Sequence, residues 1–360
     1  MERHGSRYFE TCADARTNTG LGVPRPVAPV LNFFRIGLIV LFCALLTGCA
    51  SNAPPIGHRV GPTEPAKVST EPWTYEGMPA FRLTSPHYTI YTTIADAEFA
   101  NQIAQVMEAG YAQYTQFAPD LKPSTERMDC YIFAERQQWM DFTRRNTGAF
   151  AKVYLQINRG GYTLRDWYVA YDIGQFRTFS VAAHEGWHQF AYRNFIGRLP
   201  PFLEEGIACM FEDVLLRNDL PKFNLSVNRF RAASLRHAMD AHELIPLNDL
   251  ARMHAGAIVG RSGGVIEAFY SENWAFAKFL WEGEHGKYRP ALLRLIHDTA
   301  YGQTLDPTGS HMRTAAPWNP DSVPPLLEKY LGMSMDEIQQ HFMAYMHEVA
   351  YEQFDEQFAS

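Results

Sequence analysis

Two histidines four residues apart constrain this chain more than any other feature: His184 and His188, in the stretch His184-Glu185-Gly186-Trp187-His188. Residues at positions i and i+4 share one face of an α-helix, so both imidazoles can reach one metal ion. Glu185, beside the first histidine, then stands next to the metal without being needed as a ligand. From there it can take a proton from water at the metal. The motif therefore predicts a helix that carries a catalytic zinc ion.

A catalytic zinc site needs a third protein ligand, because such sites use three protein ligands and leave the fourth position open. The pattern HExxHxxGxxH does not supply it, since its last two positions are Ala191 and Asn194 here. A carboxylate from a second helix is the alternative. Glu204 and Glu205 follow His188 after a turn of suitable length, at the start of a predicted helix. Both are candidates on this argument.

The two segments together carry a family resemblance. HEGWHQF at 184–190, followed by PFLEEGIACMFE at 201–212, resembles the gluzincins of the peptidase MA clan. It is most similar to an uncharacterised bacterial family called domain of unknown function 1570. The resemblance covers about residues 80–300, with Phe202 where the family usually has tryptophan. It implies a zincin-like metallopeptidase fold and Glu205, the glutamate before the glycine, as the third zinc ligand.

The resemblance also implies roles for two further residues. Glu185 would be the general base. Many gluzincins add a tyrosine or histidine that stabilises the oxyanion, and Tyr270 is the candidate because it opens a predicted helix at a comparable separation from Glu205. Two departures from the patterns of known gluzincins narrow the class of peptidase that is expected. Cys209 replaces the acid that supports a zinc histidine in thermolysin-like enzymes, and no GxMEN loop of aminopeptidases precedes His184. An endopeptidase acting on peptides or proteins is therefore expected.

One other function stays open. A lipid-anchored, non-catalytic binding or scaffold protein could retain a zincin fold, although no residue of the motif is lost. A structural zinc site conflicts with the motif, because structural sites usually have four protein ligands rich in cysteine.

The N-terminal region has the pattern of a bacterial lipoprotein signal. An apolar run at 36–48 follows Arg35, is too short to span a bilayer, and ends in Leu-Thr-Gly before Cys49. This resembles a lipobox, in which Cys49 is lipidated. With Ala50 and Ser51 next, the resemblance favours the outer membrane, facing the periplasm. We expect a signal segment at 1–48, a proline-rich tether at 49–75 and the catalytic domain at 76–360.

Hydrophobic periodicity predicts an α+β fold, with a β-rich part at 76–175, the active-site helix at 178–193 and a helical part at 200–360. Strands are predicted at 81–94, 128–133, 151–157 and 164–172. The predicted helices are 95–117, 135–145, 178–193, 202–213, 226–240, 265–283, 288–298 and 335–354. Two loops, 254–264 and 301–321, are the remaining long irregular segments.

The charge of the chain argues against anionic partners. The formal net charge is −7, which argues against nucleic acid or anionic lipid as the main partner. Past the signal segment and Cys49, only Cys130 and Cys209 remain. One disulfide bond between them and two buried free thiols are both compatible with the sequence.

Overall fold

A six-stranded mixed β-sheet organises the N-terminal half of the protein. The computed structural model describes residues 58–304 and 319–358. The strands are β1 (Ser69–Tyr75), β2 (Met78–Thr84), β3 (Tyr88–Thr92), β4 (Met128–Phe133), β5 (Gly161–Leu164) and β6 (Trp167–Tyr171). Their order is β1-β2-β3-β4-β6-β5, with β3, β4 and β6 parallel and the other pairs antiparallel.

Helices dominate the rest of the described chain, interrupted by a hairpin of β7 (Val214–Arg217) and β8 (Leu220–Phe223). The α-helices are α1 (Ala97–Tyr114), α2 (Arg136–Asn146), α3 (Ala151–Tyr154), α4 (Gln175–Asn194), α5 (Pro201–Met210), α6 (Arg229–Asp240), α7 (Leu247–Leu250), α8 (Ala255–Ile258), α9 (Gly263–Gly286), α10 (Arg289–Ala300), α11 (Val323–Leu331) and α12 (Met335–His347).

The sheet is covered on both faces, which explains its apolar sequence. The register places Ile90, Cys130 and Tyr168 in one row across β3, β4 and β6. All three are buried in the large core cluster, together with residues of α1 and α4. Side chains alternate along a strand, so their neighbours face the other way and form a smaller cluster with α2. Helix α4 therefore lies against the sheet, close to β5 and β6.

The predicted α+β class is confirmed, with the strands concentrated before α4 and the helices after it. The predicted helices at 95–117, 135–145 and 226–240 correspond to α1, α2 and α6. Helix α12 begins with a capping box, in which the Ser334 and Glu337 side chains each accept from the other's backbone N–H. Both described cysteines, Cys130 and Cys209, are buried and free.

Several predicted elements are wrong, each for a local reason. The strand at 151–157 is the short helix α3, because Tyr154, Leu155 and Ile157 pack together against the smaller cluster. The predicted strand at 164–172 contains β6, but it begins at the last residue of β5, and the β5–β6 turn was not predicted. The predicted strand at 81–94 is divided between β2 and β3. The helical part also contains the unpredicted β7–β8 hairpin. Its turn residues Asn218 and Asp219 both have positive φ, as a two-residue hairpin turn requires.

The predicted tether extends too far toward the C-terminus. Residues Ser69–Tyr75 form edge strand β1, in which Pro72 is tolerated because an edge strand has one unpaired side. Upstream, the Val60 backbone pairs with Phe223 of β8. The predicted signal segment 1–48, the lipidation site Cys49 and the first part of the tether lie outside the described residues. Among the described residues, no helix is long and apolar enough to cross a membrane.

Candidate metal centre

Helix α4 carries both histidines of the motif and is fixed firmly against the sheet. The buried Gln189 side chain donates to the carbonyl oxygens of Asp129 and Asp166, 2.8 and 2.6 Å away. These two residues lie in β4 and in the β5–β6 turn. On the opposite side, Gly186 allows close approach of Tyr114, whose hydroxyl donates to the Ala183 carbonyl at 2.6 Å. The helix thus holds its histidines in a defined position relative to the sheet.

Helix α5 brings Glu205 to the same point. It packs on α9 through Gly206, where a Cβ atom would lie only 2.1 Å from the Asn273 carbonyl oxygen. Glu205 Oε2 lies 3.3 Å from His184 Nε2 and 3.4 Å from His188 Nε2. The two Nε2 atoms are 3.3 Å apart. The three candidate ligand atoms therefore form a nearly equilateral triangle.

The size of this triangle fits a zinc ion. Tetrahedral zinc with bonds of about 2.0–2.1 Å has its ligand atoms about 3.3–3.4 Å apart, equal to the observed edges. Glu205 Oε2 is buried and, among the described residues, has no hydrogen-bond partner. A buried carboxylate oxygen without a donor is unfavourable unless a cation completes its environment. His184, His188 and Glu205 thus fit the ligand set of a catalytic zinc site.

The outer nitrogen of each histidine faces another carboxylate. His184 Nδ1 lies 2.9 Å from Glu212 Oε1, and His188 Nδ1 lies 3.1 Å from Glu204 Oε1. Such a carboxylate accepts a hydrogen bond from the Nδ1–H group, which keeps the proton on Nδ1 and leaves the Nε2 lone pair for a metal. Both imidazoles are therefore oriented with Nε2 toward the centre of the triangle.

The charges around the histidines favour a cation. Burial lowers the pKa of His188, but the Glu205 and Glu204 carboxylates outweigh burial and raise it to about 10. Burial likewise opposes the charged form of His184, yet Cys209, Glu205 and Glu212 raise its pKa well above the usual range. Burial would raise the pKa of Glu205, but the two histidines hold it well below its ordinary value. The cluster thus binds positive charge, either as protons or as a metal ion.

Glu185 lies on the same helix, on the side of the sheet. The Thr163 hydroxyl, on edge strand β5, is 2.9 Å from Glu185 Oε2 and 3.1 Å from the Glu185 carbonyl oxygen. Glu185 is 9% exposed and among the described residues forms no ion pair. The Thr163 hydroxyl therefore fixes the position of the Glu185 carboxylate.

Tyr270 lies on the other side of the cluster, in the first half of α9. Its ring is edge-on to the His184 imidazole, with centroids 6.2 Å apart. Within 58–304 and 319–358 no hydrogen bond of its hydroxyl to a protein group is present, and burial raises its pKa well above 10. The hydroxyl is therefore a neutral donor at neutral pH.

The three proposed ligands His184, His188 and Glu205 come together in one cluster. Tyr270 contacts the cluster through the His184 ring, and Glu185 contacts Thr163. Three residues were missed by sequence reasoning: Thr163, Glu204 as a histidine partner, and Glu212. Cys209 is indeed near His184, with Sγ 3.9 Å from Nδ1, but the stronger contact comes from Glu212, three residues further on. The helix predicted at 202–213 places Glu212 seven residues after Glu205 on the same helical face, so helical spacing was a signal for Glu212, although α5 ends at Met210.

Comparisons with protein-family models, with curated proteins and with solved structures found no match.

Proposed function

We propose that this protein is a zinc-dependent hydrolase that cleaves peptide bonds, with a zincin-like fold of the gluzincin type. The observation that carries the proposal is the triangle of His184 Nε2, His188 Nε2 and Glu205 Oε2, with edges of 3.3–3.4 Å. It has the size expected for a tetrahedral zinc site with one open position. Glu185 follows His184 in the sequence and forms no ion pair among the described residues. It therefore supports a hydrolytic role over a purely structural one.

The surrounding side chains have distinct roles in this proposal. A bound zinc ion would lower the pKa of water and polarise the substrate carbonyl. Glu185 accepts the proton of the attacking water at its carboxylate and delivers it to the leaving amine. The Thr163 hydroxyl orients the carboxylate through Oε2. Tyr270 is the donor proposed for the oxygen of the scissile carbonyl as its negative charge develops.

A peptide substrate is supported by the position of β5. Among the described strands, β5 pairs only with β6, so its second edge offers free backbone groups. An extended peptide can add to such an edge by main-chain hydrogen bonds. Thr163 lies on β5 and contacts Glu185, so a peptide bound there would pass the proposed base. No GxMEN loop of gluzincin aminopeptidases precedes His184, which supports an endopeptidase over an aminopeptidase.

Replacing the proposed base tests the function. Glu185→Gln keeps the size of the side chain and the Thr163 contact but removes proton transfer. We expect it to retain stoichiometric zinc and to lose about 10²- to 10⁴-fold in kcat on an unfolded-protein substrate. Glu267→Gln, an exposed glutamate on α9, is the matched control and should behave as wild type. Unchanged turnover in Glu185→Gln would contradict the proposal.

We also propose that Cys49 anchors the chain to the outer membrane, on the side of the periplasm. The sequence Leu46-Thr47-Gly48-Cys49 supports this. Labelling with radioactive palmitate should mark the wild-type chain and not Cys49→Ala. Label retained in Cys49→Ala would contradict the anchor but leave the proposed chemistry intact.

A further inference from the structure

Arg231 makes a two-point contact with the carboxylate behind the first histidine. It lies in the first turn of α6, with a side chain 22% exposed. Its Nε donates to Glu212 Oε2 at 2.9 Å and its Nη2 donates to Glu212 Oε1 at 2.6 Å. Glu212 Oε1 is also the atom that faces His184 Nδ1. The guanidinium therefore fixes both oxygens of the group that orients this imidazole.

The same guanidinium touches the proposed oxyanion donor. Its central carbon lies 5.0 Å from the centroid of the Tyr270 ring, within the range of a cation–π contact. Burial raises the pKa of Glu212, but the Arg231 charge, with His184, outweighs burial and holds it well below its ordinary value. The Arg231 side chain thus contacts both Glu212, which orients His184, and the ring face of Tyr270.

The start of α6 is tied to the end of α5 by a second residue. The Asn228 side chain caps α6 by accepting from the Arg231 backbone N–H at 3.1 Å. Its amide donates to the Cys209 carbonyl at 3.0 Å and to Glu212 Oε2 at 2.8 Å. Asn228 therefore holds the Arg231 backbone close to Glu212, the carboxylate that the Arg231 side chain binds.

We propose that Arg231 is a positioning residue of the metal centre. It holds the His184 imidazole through Glu212 and holds the Tyr270 ring by stacking, so that a metal ligand and an oxyanion donor keep one relative position. The inference rests on the zinc-dependent function proposed above. Arg231 lies outside the histidine motif and outside α4 and α5, the helices that carry the proposed ligands.

The chemistry of arginine suits this position better than that of lysine. A planar guanidinium can bind both carboxylate oxygens and stack on a ring at the same time. An ammonium group is a point charge and can make only one of these contacts well. Loss of a residue that supports a metal ligand typically costs 10- to 100-fold in metal affinity or activity.

The test compares Arg231→Ala and Arg231→Lys with wild type and with Arg229→Ala. Arg229 lies on the same turn of α6 but stacks on Phe176 and Phe230 instead. For each full-length protein we would measure zinc affinity by competition with a chromophoric chelator. We would also record the visible spectrum after substitution with Co²⁺, and kcat and KM for peptide cleavage. Circular dichroism would confirm that each variant is folded.

We expect Arg231→Ala to lose about 10- to 100-fold in zinc affinity, to change the Co²⁺ spectrum and to lower kcat more than it raises KM. Arg231→Lys should restore only part of each, and Arg229→Ala should match wild type. If both Arg231 variants match Arg229→Ala in zinc affinity and Co²⁺ spectrum, the positioning role is wrong while the zinc site stands. If wild type itself binds no zinc, the proposed function fails, and the role of Arg231 with it.

Discussion

Gly206 is the point where the geometry of the site depends most directly on packing. It follows the proposed ligand Glu205 and faces α9, the helix that carries Tyr270. An added Cβ would lie 2.1 Å from the Asn273 carbonyl oxygen, 2.8 Å from its carbon and 3.1 Å from the Ala277 Cβ. The nearest neighbour is backbone in the middle of a long helix, so it cannot rotate away. Gly206→Ala must therefore push α5 away from α9.

The expected magnitude follows from these distances. Relieving the contact needs a displacement of about 1 Å, because interiors are closely packed. Overpacking of this kind costs about 1–3 kcal/mol, and the better helix propensity of alanine returns about 1 kcal/mol. We expect a net loss of about 0–2 kcal/mol in the free energy of unfolding. Metal bonds tolerate only about 0.2 Å, so a shift of Glu205 should also weaken zinc affinity by more than about tenfold.

The assay is thermal unfolding of zinc-free protein together with zinc titration. Gly263→Ala is the matched control, because nothing lies within 4 Å of an added Cβ at this first position of α9. It should change stability by less than about 0.5 kcal/mol and leave zinc affinity intact. If Gly206→Ala were as stable as Gly263→Ala and bound zinc equally well, the proposed contact between α5 and α9 would be refuted.

Two further predictions concern protons and the base. Because the pKa of His188 is raised to about 10, zinc-free protein holds a proton there at pH 7 that zinc must displace. Zinc binding at pH 7 should release about one proton or more, and affinity should rise with pH up to about 10. Calorimetry in two buffers of different ionisation enthalpy measures this, and no release would contradict it. Thr163→Val should keep zinc but lower kcat about tenfold, because Glu185 loses its orienting hydroxyl. Thr74→Val, exposed on β1, is the control, and equal kcat in both would show that the Thr163 contact is not needed.

The proposed histidine ligands were predictable because their relationship is local: His184 and His188 are separated by one helical turn. Spacing left both Glu204 and Glu205 as candidates for the third ligand, and the family resemblance favoured Glu205, in the first half of α5. The α+β class followed from hydrophobic periodicity in the same way. Each of these features depends on residues close together in the sequence.

The supporting residues could not be predicted because their contacts depend on tertiary packing. Thr163 meets Glu185 only because the β5–β6 hairpin lies along α4, and Thr163 lay outside the strand predicted at 164–172. Glu212 shares a helical face with Glu205 in the helix predicted at 202–213, but its contact with His184 depends on how α4 and α5 pack together. Arg231 comes from a different helix, 19 residues past its partner Glu212. No periodic pattern links these positions to the histidines.

The most direct test of the account is the zinc content of the purified full-length chain, measured by mass spectrometry of the metal after dialysis. We expect one zinc ion per chain in wild type and loss of that ion in His188→Ala. His347→Ala, which removes an exposed histidine of α12, should keep one zinc ion per chain. Folded wild-type protein without zinc, or a His188→Ala variant that retains it, would contradict the central claim.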